Sequence, residues 1–298
     1  MRRPALMLAT MLSGATALAS PGQGKLLLTG GVTSIDGAAG GGLTPWALTG
    51  SQATAGEYGA TAFATRIVTS DYKLWAFGAA LSVDDRVELS LARQDLDTQQ
   101  NLAPLGLGGL HLKQDILAVK LRLAGDAVLN ADTPWPQVAV GLEHKRTHAG
   151  RLGPTLFGAL GAKAHGTDAY VSLTKLFLAR GVLANVTLRA TRANQNGLLG
   201  FGGAQHTGTR LLPEVSIVQL LAKGVAVGAE YRAKPDNLNP SALGPGALAE
   251  DAWKDVFVAW APSKHFSITA AWVDLGRIAP AVQPRRQRGA YLSAQWSP

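Results

Sequence analysis

Downstream of residue 57, apolar and polar side chains alternate with a period of two along most of the chain. In 115–124, Leu117, Val119, Leu121 and Leu123 share one parity, while Ala118, Lys120 and Arg122 share the other. A helix would mix these residues on its faces, whereas a strand separates them cleanly. Val182, Ala184, Val186 and Leu188 likewise oppose Asn185, Thr187 and Arg189. The split recurs in 225–232, 255–260, 266–272 and 290–296. It predicts twelve strands, at 58–69, 72–82, 86–96, 115–124, 136–147, 167–178, 181–193, 210–220, 224–233, 252–261, 264–274 and 287–296. Each has about the 9–11 residues that a tilted strand needs to cross a bilayer.

The connections carry separate information. From the second strand on, short links at 83–85, 180, 223 and 262–263 alternate with long ones at 97–114, 148–166, 194–209, 234–251 and 275–286. The 125–135 link is of middling length and contains Pro134. Outer-membrane barrels have short periplasmic turns and longer external loops. With both chain ends in the periplasm this phase needs an even strand number, which twelve satisfies. A soluble β-sandwich also alternates, but with the apolar face inward, and it does not predict alternating loop lengths.

Composition narrows the class. Of the 298 residues, 47% are apolar and 16% charged, which is the wrong balance for a disordered chain. There is no Cys, so a disulfide scaffold and a cysteine-ligated zinc or iron–sulfur site are excluded. No stretch beyond the N-terminus approaches ~18 apolar residues, which excludes a helical membrane protein. The N-terminus itself reads as an export signal. Arg2 and Arg3 precede an apolar run from Ala5 to Leu12, and Ala17-Leu18-Ala19 forms a cleavage-type motif. The expected organisation is a signal peptide over 1–19, a Gly-rich segment over 20–57, and a transmembrane β-barrel over 58–298. The Gly-rich segment is expected either to plug the lumen or to add strands at 26–34 and 43–50, giving fourteen. No Gly-Lys-Ser/Thr follows its glycines, so it is not a phosphate loop.

Trp75, Trp260, Trp272 and Trp296 fall on apolar faces toward strand ends, as the aromatic girdles of barrels do. If those faces meet lipid, Arg66, Glu88, Lys120, Arg122, Glu143, Lys145, Arg189, Glu230 and Arg232 line the lumen, six cations against three anions. Rings of Arg and Lys favour anions. Lys175 is out of pattern on an apolar face, near a strand end from which it can snorkel to water.

Several phrases, taken together, resemble a known family. They are the run from Leu28-Thr29-Gly30-Gly31 through Gly40-Gly41-Gly42, Lys234-Pro235-Asp236-Asn237-Leu238, Asp255-Val256-Phe257-Val258-Ala259-Trp260, and Trp272-Val273-Asp274-Leu275-Gly276. The chain resembles an uncharacterised proteobacterial family of exported proteins of unknown function. The resemblance implies a Gram-negative envelope protein and an outer-membrane barrel. It supplies no activity and no catalytic residues.

Other chemistry finds little support. His144 and His148 have the spacing of a helical zinc pair, but on a strand they would sit roughly 13 Å apart; a solvated rim is expected, with no metal or cofactor. No G-x-S-x-G element marks a nucleophile, so a lipid-modifying barrel enzyme is the lesser alternative and no catalytic residue is named. The formal net charge of +8 is spread along strands rather than clustered, and the export signal removes the chain from nucleic acid. The expected function is a channel or transporter for small polar or anionic solutes. The alternative is a non-conducting structural or interaction barrel of the envelope. Expected partners are outer-membrane lipid and lipopolysaccharide, whose phosphates suit Arg146 and Arg151 at the outer rim. The oligomeric state is left open.

Overall fold

The structure is a computed structural model that describes residues 20–21, 24–25, 27–128 and 133–298. The expected signal peptide lies outside the described residues. Twelve long strands follow one another: β1 Glu57–Thr69, β2 Lys73–Val83, β3 Val87–Asp97, β4 His111–Ala124, β5 Gln137–His148, β6 His165–Phe177, β7 Val182–Thr191, β8 Arg210–Ala222, β9 Val225–Arg232, β10 Trp253–Ser263, β11 Phe266–Asp274 and β12 Arg288–Trp296. Each pairs antiparallel with its sequence neighbours. β12 returns to β1, from Gly289 opposite Thr69 to Trp296 opposite Ala62, and closes the barrel. Closure pairs every strand on both sides and leaves no long edge unsatisfied.

At the end holding the chain termini the turns are short, apart from the 125–136 link between β4 and β5. Asp84 and Asp85 take φ of 57° and 46° between β2 and β3, a conformation Asp tolerates better than branched residues. At the other end a short turn at 70–72 joins β1 to β2, and the remaining connections are long and fold over the opening. Strand boundaries differ most at β4, which starts at His111 rather than 115 and shortens the preceding loop.

The two faces of the sheet differ as the alternation requires. Leu117, Val186, Val256 and Leu292 stand on the outer wall, with Val256 61% exposed. Thr65, Gln94, Lys120, Glu143, Thr187, Arg189 and Arg232 point inward and are buried. The inner face is nevertheless mixed, because Phe63, Ile67, Leu74, Ile116, Leu183 and Phe257 are buried inside as well.

The Gly-rich segment settles the strand number. It does not extend the sheet to fourteen strands; it enters the barrel. Val32–Thr33 and Ala39–Gly40 pair as a two-residue ladder separate from the wall. Ser20–Pro21 runs parallel to Glu57–Tyr58 at the start of β1. Ile35, Leu43 and Ala47 are fully enclosed, and Trp46 packs near Leu183, Val218 and Phe257.

Candidate functional site: the filled lumen

The segment is held by wall side chains that grip its backbone. On β3, Glu88 accepts the amides of Ala39 (3.0 Å) and Gly50 (2.6 Å). Its ion-pair partner on β4, Lys120, lies 3.1 Å away and donates to the carbonyls of Ala39 (2.7 Å) and Leu48 (2.8 Å). On β9, Glu230 accepts the Leu43 amide at 2.8 Å and the Thr44 hydroxyl. Thr187 donates to the Pro45 carbonyl (2.8 Å), Gln137 to that of Ala47 (2.7 Å) and Gln94 to that of Ile35 (2.9 Å). The Trp46 indole N–H donates to Ser216 Oγ at 2.9 Å. A chain with no regular structure of its own must find partners for its amides and carbonyls, and here the barrel wall supplies many of them.

Glycine at 41 is what lets the segment lie this close to β9. A Cβ there would fall 2.1 Å from Glu230 Oε1. Gly37, with φ +94°, makes a turn beside Ala92 that other residues rarely adopt.

Farther along the axis lies a cluster of enclosed charge. Lys145 sits 3.0 Å from Glu143, 3.1 Å from Asp168 and 3.6 Å from Asp36 of the plug. Arg189 bridges Glu143 (2.7 Å) and Glu214 (2.5 Å) and packs over the Tyr170 ring. Arg232 bridges Glu214 (3.1 Å) and Asp36 (2.8 Å). The long loop between β7 and β8 reaches the same point. Asn196 accepts from Lys145 (2.8 Å) and Arg232 (2.7 Å) and donates to Asp36 (2.5 Å). Wall, plug and outer loop are thus tied by one network. Burial pushes the Asp36 carboxyl up, but Lys145, Arg232 and Arg189 outweigh it and hold it well below the usual carboxylate range.

At the termini end, Arg122 pairs with Asp85 and, at 3.1 Å, with Asp126. Lys25 of the plug reaches Asp85 at 2.7 Å. These residues line a cavity of about 560 Å³ that opens at this end.

The positions named from the sequence therefore divide. Glu88, Lys120, Arg122, Glu143, Lys145, Arg189, Glu230 and Arg232 lie inside, brought together by the plug into the groups just described. Arg66 is a correction: it lies on the outer wall of β1, its guanidinium 4.9 Å from the centre of the Trp75 ring. The reason is local. On β1 both parities carry apolar residues: Phe63 and Ile67 point inward, while Tyr58, Ala62, Ala64 and Val68 point outward beside Arg66, so parity does not tell the two faces apart. Asp168, Glu214 and Asp255 are enclosed too and were missing from the sequence set, although each shares parity with inward neighbours such as Ser172, Ser216 and Phe257. With them the wall holds Lys120, Arg122, Lys145, Arg189 and Arg232 against Glu88, Glu143, Asp168, Glu214, Glu230 and Asp255. The cationic excess expected from the sequence is absent.

Trp75, Trp260, Trp272 and Trp296 all stand about half exposed on the outer wall. Trp260 and Trp296 lie near the termini end, Trp75 and Trp272 near the opposite end. Arg288 packs over Trp272 and Lys254 over Tyr231. Lys175 is on the outer wall of β6, where its ammonium donates to the Trp135 carbonyl at 3.4 Å.

The chain is similar to several solved structures at low identity. A KdgM porin is 7% identical with a TM-score of 0.47, over 79% of this chain and 98% of that one. Omp33 of Acinetobacter baumannii is 8% identical with a TM-score of 0.42, over 80% and 97%. Outer membrane phospholipase A from Escherichia coli is 9% identical with a TM-score of 0.42, over 79% and 89%. No curated protein matches the sequence. A family model described as a protein of unknown function, DUF3034, matches residues 29–295, nearly the whole chain, and the protein belongs to that family.

Proposed function

We propose that this is an outer-membrane β-barrel of a Gram-negative envelope, closed at rest by its own N-terminal segment and conducting small polar solutes when that segment is displaced. The apolar outer wall, with tryptophans near both ends, supports placement in a bilayer. The long loops then face outward and the termini lie in the periplasm.

One observation carries the channel reading: much of the plug is gripped through polar contacts to ionised and amide side chains of the wall. Water can replace such contacts at a net cost of about 1–3 kcal/mol each, the upper end for those to charged groups. The wall that would be bared carries both signs of charge in near balance, so the argument for anion preference falls away. Twelve strands stand between filled eight-stranded barrels and open sixteen-stranded porins.

The second reading is a permanently closed barrel that acts through its loops. It is favoured by the apolar contacts of Trp46 and Leu48 with Leu183, Val218 and Phe257, which water cannot replace. Planar-bilayer recording separates the two. The full chain should be silent or flicker rarely, and deletion of 29–50 should give steady conductance with weak charge selectivity. A deletion variant that keeps its β-rich circular dichroism and heat-modifiable mobility but stays silent would remove the channel reading.

A further inference from the structure

The outer wall is not uniform around the barrel. On β1, β2 and β9–β12, the end away from the termini carries Trp75, Tyr231 and Trp272, each stacked with Arg66, Lys254 or Arg288. On β3–β6 the same level carries no outward aromatic residue. Instead, four of the six histidines gather there, His111, His144, His148 and His165, with Arg93, Lys113 and Arg146. They are exposed and outward-facing.

Strand register places them in rows. Arg93, Asp115, Arg146 and His165 lie directly opposite one another across four strands. The row below, toward the termini, begins Leu91, Leu117 and His144. The charged patch therefore continues straight into the apolar wall. Its anions are already engaged. Asp115 binds Arg93 through both oxygens (2.6 and 2.9 Å) and also meets His148 at 3.0 Å. Asp95 meets His111 at 2.6 Å and Lys113 at 3.6 Å. Arg146 has no hydrogen bond or ion pair among the described residues. Beside it, the His144 and His165 rings stand 6.1 Å apart.

We propose that this face of β3–β6 binds the phosphorylated headgroup of an outer-leaflet lipid, with Arg146, His144 and His165 on the phosphate and the acyl chains along Leu91, Leu117 and Leu142. The inference rests on the membrane orientation proposed above. A free guanidinium offers phosphate two parallel hydrogen bonds, and the imidazoles flank it, His165 in the same row and His144 one row below. Continuity with the apolar wall selects a lipid over a soluble anion, since a single occupant then satisfies both surfaces.

Native mass spectrometry of the full-length protein in detergent, titrated with diphosphoryl lipid A and with the same lipid stripped of phosphate, tests the assignment. The phosphorylated lipid should bind in preference. The triple variant Arg146→Gln, His144→Gln, His165→Gln should bind it about tenfold more weakly or worse. Arg146→Gln alone should show a smaller loss in the same direction. Lys254→Gln with Arg288→Gln, on the opposite wall, should bind as the parent does. Equal binding of both lipids, or equal binding by all these proteins, would overturn the inference. Displacement of the lipid by inorganic phosphate would also overturn it, in favour of a soluble anion. Membrane fractionation is scored in parallel. A protein that inserts normally but shows no lipid preference defeats this inference alone; one that never reaches the membrane defeats the orientation it rests on.

Discussion

Asp36 of the plug meets both the charged wall and the outer loop, through Arg232, Lys145 and Asn196. Removing one partner from a buried charge network leaves the others uncompensated, at a cost of about 3–5 kcal/mol. Asp36→Ala should therefore loosen the plug, seen as faster amide exchange across 35–46 in a barrel whose strands keep their protection. Unchanged exchange there would mean the network does not hold the plug. A second residue governs the cap. Glu250, in the loop before β10, accepts the Gln195 amide at 2.8 Å while its other oxygen is buried without a partner. Burial pushes its carboxyl up to about 8, only partly countered by Lys234. Lys234 itself lies over the Trp253 ring at 3.2 Å, and burial holds it well below its usual range. For an acid with a raised value, folding binds a proton that the unfolded chain releases above about 4.5. Its contribution to cap stability is full below that value, declines above it and is lost as pH rises through about 8. Intrinsic-rate-corrected exchange at Gln195 should show less protection at pH 9 than at pH 6, and Glu250→Gln should remove that difference. A parent and variant with the same pH profile would refute the role given to Glu250. None of this cap chemistry was legible in the sequence, because Glu250 and Gln195 are 55 residues apart and meet only through loop folding.

Among the elements, the strands were legible and the plug was not. A strand advertises itself through parity, because one face meets an environment unlike the other. All twelve strands emerged close to their observed bounds for that reason. β1 shows where parity misleads: it is apolar on both faces, and so Arg66 was assigned to the wrong side. The plug has no period, since its side chains meet the wall in all directions. Its glycines gave a hint of close approach without saying to what. That contact yields an element-scale prediction. Gly41→Val places a branched side chain where Glu230 stands, so it should push the segment off β9 without touching the barrel ladder. Conductance bursts should become more frequent than in the parent, with heat-modifiable mobility unchanged. If the variant is as quiet as the parent while exchange shows the plug displaced, displacement does not open the pore.

At the scale of the whole molecule, two surfaces of opposite preference are divided by one closed sheet. The outer wall is tested by Val119→Arg, which puts a charge on the outer side of β4 within its apolar run, a row below Leu117. Near the middle of a bilayer this should cost about 2–4 kcal/mol of folding stability in lipid vesicles. Ala118→Ser, one residue away but inward, should cost far less. Similar losses at both positions would argue that the outer wall does not face hydrocarbon. The sequence by itself determined the twelve strands, their order, the alternation of short and long connections, and which side of most strands is apolar. These follow from local parity and chain length, so neighbouring residues suffice to read them. Only the tertiary structure decided that the lumen is filled, that its anions match its cations, and that four histidines share one outer face. Those outcomes depend on which distant strands become neighbours and on where an aperiodic segment finds partners for its backbone, and neither is written in any short stretch of the chain.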